Sequence, residues 1–167
     1  MSLLDQSQVM SGITFMKNKY LFLDFDGVLH PDRYSLSNYD PDRVFKNNEI
    51  FNQAPLLAAL ITEFPCQIII SSSWRFIHSL DEMKQRLPKA ISKNVIGVTG
   101  DAYIGPYPRY NEIKEYLTSR DKSLFNWRAL DDSKLEFPPG CTDLILCDPN
   151  TGIASKQIQE LKKWLQK

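Results

Sequence analysis

The chain has 167 residues, with 20 lysines and arginines balanced by 20 aspartates and glutamates. That length suits one domain able to bury about two thirds of its unfolded surface. The even charge excludes a global attraction to nucleic acid, membrane or acidic partners, although a local basic patch stays open. Three cysteines, Cys66, Cys141 and Cys147, lack metal-type spacing and read as reduced thiols, two of them inside apolar runs. The opening MSLLDQSQVMSGITFMKNK lacks the basic-then-apolar order of a secretory signal, and no apolar stretch reaches the roughly 20 residues of a membrane span. A soluble, cytoplasmic protein is expected, with residues 1–167 as one domain and 1–17 as a loosely ordered extension.

YLFLD (20–24) reads as a first strand. The run NQAPLLAALITEF (52–64) has helical apolar spacing, with Asn52 placed to cap it. CQIIIS (66–71) is a continuous β-branched run, which marks a strand buried on both faces. WRFIHSLDEMKQRL (74–87) is amphipathic and stopped by Pro88, and NVIGVT (94–99) is a short third strand. RYNEIKEYLTSR (109–120) predicts a helix with Ile113, Tyr116 and Leu117 on one face. NWRALD (126–131) and DLILCD (143–148) predict two more strands, and ASKQIQELKKWLQK a closing helix with Ile158, Leu161 and Leu165 inward. This alternation implies an α/β fold, a mostly parallel sheet between two helical layers. The echo of PDR at 31–33 and 41–43 around YSLSNYD suggests two turns flanking a short hairpin, or chance.

In such sheets ligands gather beyond the carboxyl ends of the strands. Here those ends read Asp24-Phe25-Asp26-Gly27, Ser71-Ser72-Ser73, Asp131-Asp132 and Asp148. Any one of them has a plain explanation, a helix cap or an Asx-turn. Their convergence on one sheet edge does not. A carboxylate next to apolar packing must be paired, ligated or solvated, and two of them around an apolar strand end suggest a cation.

FLDFDGVL, IIISSSWR, the arginine opening YPRYNEIKEYL, and ALDDS resemble, in order, the four motifs of the haloacid dehalogenase superfamily over roughly residues 18–166. DGVLHP, SSSWR, R-x-x-EI, LDD and GIASKQIQEL look more narrowly like the phosphatase-type domains associated with RNA-repair proteins. The resemblance implies a Rossmann-like three-layer sandwich and a phosphomonoester hydrolase. It makes Asp24 the nucleophile that forms an aspartyl phosphate and Asp26 the general acid and base. Gly27 lets backbone amides approach the phosphate, and Ser71 bonds a phosphoryl oxygen with the Ser72 amide close by. Arg109 supplies the fixed positive charge, with Arg75 as its competitor. Magnesium is implied, held by the Asp24 carboxylate, the Asp26 carbonyl and a carboxylate of the Asp131-Asp132 pair, with Asp131 preferred for direct contact and Asp132 for contact through water, because oxygen ligands without histidine or cysteine select a hard cation.

Outside the motifs, His30 stands close enough to the first to touch a substrate, whereas His78 reads as packing or surface. Trp74, Trp127 and Trp164 read as core. Tyr34, Tyr39, Tyr107 and Tyr110 could wall a base or sugar, or face solvent. Only about 25 residues separate Gly27 from the first helix, too few for an inserted lid domain. An open site favours a large phosphorylated substrate such as a polynucleotide end, contacted by Arg33, Arg43 and neighbours. The alternatives are a phospho-ligand or metal-binding module without turnover, a nucleotide phosphatase, and a receiver-like domain. The oligomeric state is not legible.

Overall fold

A computed structural model of the chain describes residues 19–32, 50–120 and 126–167. Five strands, β1 (Lys19–Leu23), β2 (Gln67–Ile70), β3 (Val95–Val98), β4 (Asn126–Asp131) and β5 (Leu144–Leu146), form one parallel sheet in the order β3-β2-β1-β4-β5. The helices are α1 (Ala54–Glu63), α2 (Leu80–Arg86), α3 (Lys89–Ser92), α4 (Pro108–Thr118) and α5 (Ser155–Leu165). The expected α/β sandwich is therefore present. No cap domain stands among the described residues.

Both faces of the sheet are covered because successive strand residues point to opposite sides. On β1, Tyr20 and Phe22 pack with Ile113, Tyr116 and Leu117 of α4, while Leu21 and Leu23 pack with α1 and α5 on the other face. Ile68, Ile69 and Ile70 are all fully buried, as an unbroken apolar run in a parallel sheet requires. Trp127 and Trp164 are buried, and Cys66, Cys141 and Cys147 are free, with burial pushing the Cys66 thiol up to about 12. No helix among the described residues is long and apolar enough to cross a membrane.

Two local expectations need correction. Asn52 does not cap α1; Gln53 precedes the helix without a side-chain bond, and its amide is tied instead to the Leu29 carbonyl at 2.9 Å. A tertiary contact has replaced the local cap. The predicted helix 74–87 is also two pieces, a 3₁₀ turn over Ser73–Phe76 and then α2. The Ser72 hydroxyl accepts from the Trp74 amide to begin the first, and a Ser79–Glu82 capping box begins the second. The extension 1–17 and nearly all of the hairpin expected around YSLSNYD, with Arg33, Tyr34, Tyr39 and Arg43, lie outside the described residues.

Candidate active site

Strand register assembles the site. Leu23 pairs with Ile70 on one side and Leu130 on the other, so the next residues, Asp24, Ser71 and Asp131, stand abreast at the carboxyl edge. The Asp24 amide bonds the Leu130 carbonyl at 3.1 Å and the Ser71 amide bonds the Leu23 carbonyl at 2.8 Å, which fixes that alignment. Thr99 extends the row beyond β3, its amide on the Ile70 carbonyl at 3.0 Å. Asp148 does not join. It is exposed and accepts from the Asn150 amide at 2.8 Å, an Asx-turn of its own.

Asp24, Asp131 and Asp132 each offer a carboxylate oxygen lying within 4.8 Å of the others. Three oxygens without a thiolate or imidazole among them fit a hard divalent cation such as magnesium. Burial is the largest influence on Asp24 and Asp131 and pushes both carboxyls up, while Arg109 pulls both back. Asp132 is only partly buried, yet burial and the charges of Asp24 and Asp32 push it up to about 7. A cation would relieve that repulsion. Gly27 belongs to the same arrangement, at φ +69°: a Cβ there would stand 2.7 Å from the Asp132 Cβ and overlap its carboxylate. Glycine is required both by backbone conformation and by Asp132.

Of the two candidate arginines, Arg109 faces the acidic cluster. Its Nη2 lies 3.8 Å from Asp24 Oδ2, its Nε 3.4 Å from Asp131 Oδ2, and its Nη1 donates to the Ser71 carbonyl. Burial alone would lower this guanidinium, but Asp24, Asp131, Glu136 and Glu112 together raise it, so it stays charged. Its backbone amide donates to Glu136 Oε2 at 3.2 Å, joining the start of α4 to the turn after β4. Arg75 is occupied elsewhere. It donates to the Ser72 carbonyl at 2.8 Å and the Gly100 carbonyl at 2.9 Å, and pairs with buried Glu112 at 2.8 Å. Glu112 also accepts from the Tyr103 amide at 3.1 Å. This places Arg75 as a brace between the ends of β2 and β3 and α4, and the expectation that it touches substrate finds no support in its contacts.

The Ser71 hydroxyl is buried and has no partner among the described residues, so a donor stands ready beside Asp24. Ser72 is also buried; its hydroxyl accepts from the Trp74 amide at 3.4 Å and its side chain also hydrogen-bonds Asp24, which helps hold that carboxyl down. The Thr99 hydroxyl is likewise buried without a partner among the described residues, a feature that a lone threonine after an apolar run does not announce.

Asp26 is 8% exposed and sits among aromatic side chains. His30 donates from Nε2 to Asp26 Oδ1 at 2.9 Å, and Trp74 Nε1 donates to Oδ1 and Oδ2, both at 3.1 Å. His30 and Trp74 are fully buried, so His30 contacts the second aspartate and is not open to a substrate. Trp74 is core, as expected, but its N–H is also the polar handle of the site. The sequence signal was available: a tryptophan directly after the Ser71-Ser72-Ser73 strand end, and a histidine four residues after Asp26.

The family model described as the HAD domain in Swiss Army Knife RNA repair proteins matches residues 20–158, from β1 into α5. The chain belongs to that family. No curated protein and no solved structure gives a match. For a HAD domain, the match covers every element that carries the acidic row, the serines and Arg109.

Proposed function

We propose that this HAD domain is a magnesium-dependent phosphomonoester hydrolase working through an aspartyl phosphate on Asp24. The observation that carries the reading is the row Ser71, Asp24, Asp131, set abreast by strand register with Arg109 against it. Asp24 attacks phosphorus. Ser71 and Arg109 supply a hydroxyl and a forked cation for the phosphoryl oxygens. Asp26 protonates the departing oxygen and later takes a proton from the water that releases phosphate, a role worth about 10² to 10⁴ in rate. A magnesium ion held by Asp24, Asp131, Asp132 and the Asp26 carbonyl would screen the repulsion between an anionic nucleophile and an anionic ester.

The family's association with RNA-repair proteins, together with the lack of a cap among the described residues, supports a large substrate such as a polynucleotide end. The test is hydrolysis of p-nitrophenyl phosphate with magnesium or with chelator, followed by a panel of phosphorylated oligonucleotide ends, nucleotides and phosphopeptides. Turnover that survives chelation or Asp24→Asn would remove the mechanism. A preference for free nucleotides would remove the polynucleotide assignment and leave the chemistry standing.

A further inference from the structure

Arg109 faces Asp24 and Asp131, whereas Asp26 takes its bonds from an imidazole and an indole, and the distribution of those donors over its two oxygens is unequal. Oδ1 receives two, His30 Nε2 at 2.9 Å and Trp74 Nε1 at 3.1 Å. Oδ2 receives, among the described residues, only the shared Trp74 hydrogen, at 3.1 Å. Neither donor is free to move. The Trp74 ring is packed against Phe25, Phe51 and His78 at centroid distances of 5.7, 5.4 and 5.2 Å, and His30 stands edge-on to Phe51 at 5.3 Å.

The His30 tautomer is set from behind. The Phe51 amide points at Nδ1 at 3.5 Å, and a backbone N–H can only donate, so Nδ1 is the acceptor and the hydrogen resides on Nε2, facing Asp26. Phe51 reaches that place at φ 60°, in the left-handed region that a phenylalanine rarely occupies. Such an outlier, observed beside a site, points to a functional constraint.

We infer that His30 and Trp74 are positioning residues that fill the Oδ1 side of Asp26, leaving Oδ2 as the atom that carries the proton. This rests on the hydrolase reading and refines it. As Asp24 forms its bond to phosphorus and the ester P–O bond breaks, Oδ2–H passes its proton to the departing oxygen, so the alcohol leaves neutral and Asp26 becomes a carboxylate. The same oxygen then accepts a proton from the attacking water. Without its two fixed donors the carboxyl would turn freely, and the proton would face the leaving group for only part of the time.

The test compares two esters in kcat/KM, which covers the steps up to cleavage of the ester bond. An aryl phosphate such as p-nitrophenyl phosphate expels a stable anion and needs little protonation; an alkyl phosphate such as a nucleoside 3′-phosphate needs the acid. Trp74→Phe keeps the ring and removes the N–H, and His30→Ala removes the second donor. Each should depress the alkyl ester about tenfold or more beyond its effect on the aryl ester. His30→Gln, which keeps an N–H within reach, should recover much of that difference. Equal loss on both esters in variants that melt like the parent would reduce the pair to structural support and overturn the inference. An indole N–H resonance of Trp74 unmoved by Asp26→Asn would overturn it on geometry alone. A parent protein inert toward both esters, with that resonance still responding to Asp26→Asn, would instead overturn the hydrolase reading and take the acid role with it, so the two failures are distinct.

Discussion

The acidic cluster predicts that magnesium stabilises this protein more as pH rises. Burial and the charges of Asp24 and Asp32 push Asp132 up to about 7, against an ordinary value of 3.8. Between those values the unfolded carboxylate is ionised while the folded one keeps its proton, so the folded state binds more protons and stability falls as pH rises. Above about 7 the whole penalty is present. Asp24 and Asp131 are displaced in the same direction by burial. A shift of that size is worth about 4 kcal/mol for a group shielded from solvent, and the partial exposure of Asp132 reduces it to about 1–2 kcal/mol. For a chain of this size this amounts to roughly 2–8 °C in Tm. Melts from pH 5 to 8, with magnesium and with chelator, should show an increment that grows across that range. His78 has the opposite slope, because burial and then Arg86 lower it, but it does not belong to the acidic cluster and cancels when melts with and without magnesium are subtracted. Asp132→Asn should be the more stable protein at pH 8 without metal and should gain less from magnesium. An increment of equal size at pH 5 and pH 8 would refute the reasoning.

Asp24→Asn should abolish turnover, whereas Asp26→Asn should retain a trace, slower by orders of magnitude; steady-state assays with matched circular dichroism spectra decide it. Gly27→Ala should cost about 1–2 kcal/mol from its positive φ alone, and by displacing Asp132 should also raise the magnesium requirement, read from a metal titration of activity. Arg75→Ala should lower Tm steeply by stranding buried Glu112, a loss of about 3 kcal/mol, while the paired Arg75→Met, Glu112→Leu chain should melt near the parent. Alanine at Arg33 and Arg43 should weaken cleavage of phosphorylated oligonucleotides and leave p-nitrophenyl phosphate hydrolysis in place, and oligonucleotide affinity should fall as salt rises.

The layered α/β arrangement is legible in the residues, because runs such as CQIIIS and the helical spacing of IKEYL each demand one kind of neighbour. The sequence also announced the acidic strand ends, since carboxylates directly after apolar strands have few local explanations. What it left open depended on contacts between distant segments. Arg109 and Arg75 are alike in a sequence; only packing turned one toward Asp24 and Asp131 and bound the other to Glu112. Asn52 looked like a cap until the Leu29 carbonyl took the neighbouring amide, and the helix from Trp74 looked continuous until Ser79 and Glu82 restarted it. Taken singly in the sequence, Trp74 suggests core and His30 a substrate contact. Their meeting on Asp26 spans 48 residues of chain for the tryptophan, and only the folded sheet, which sets the ends of β1 and β2 side by side, brings an indole hydrogen to that carboxylate.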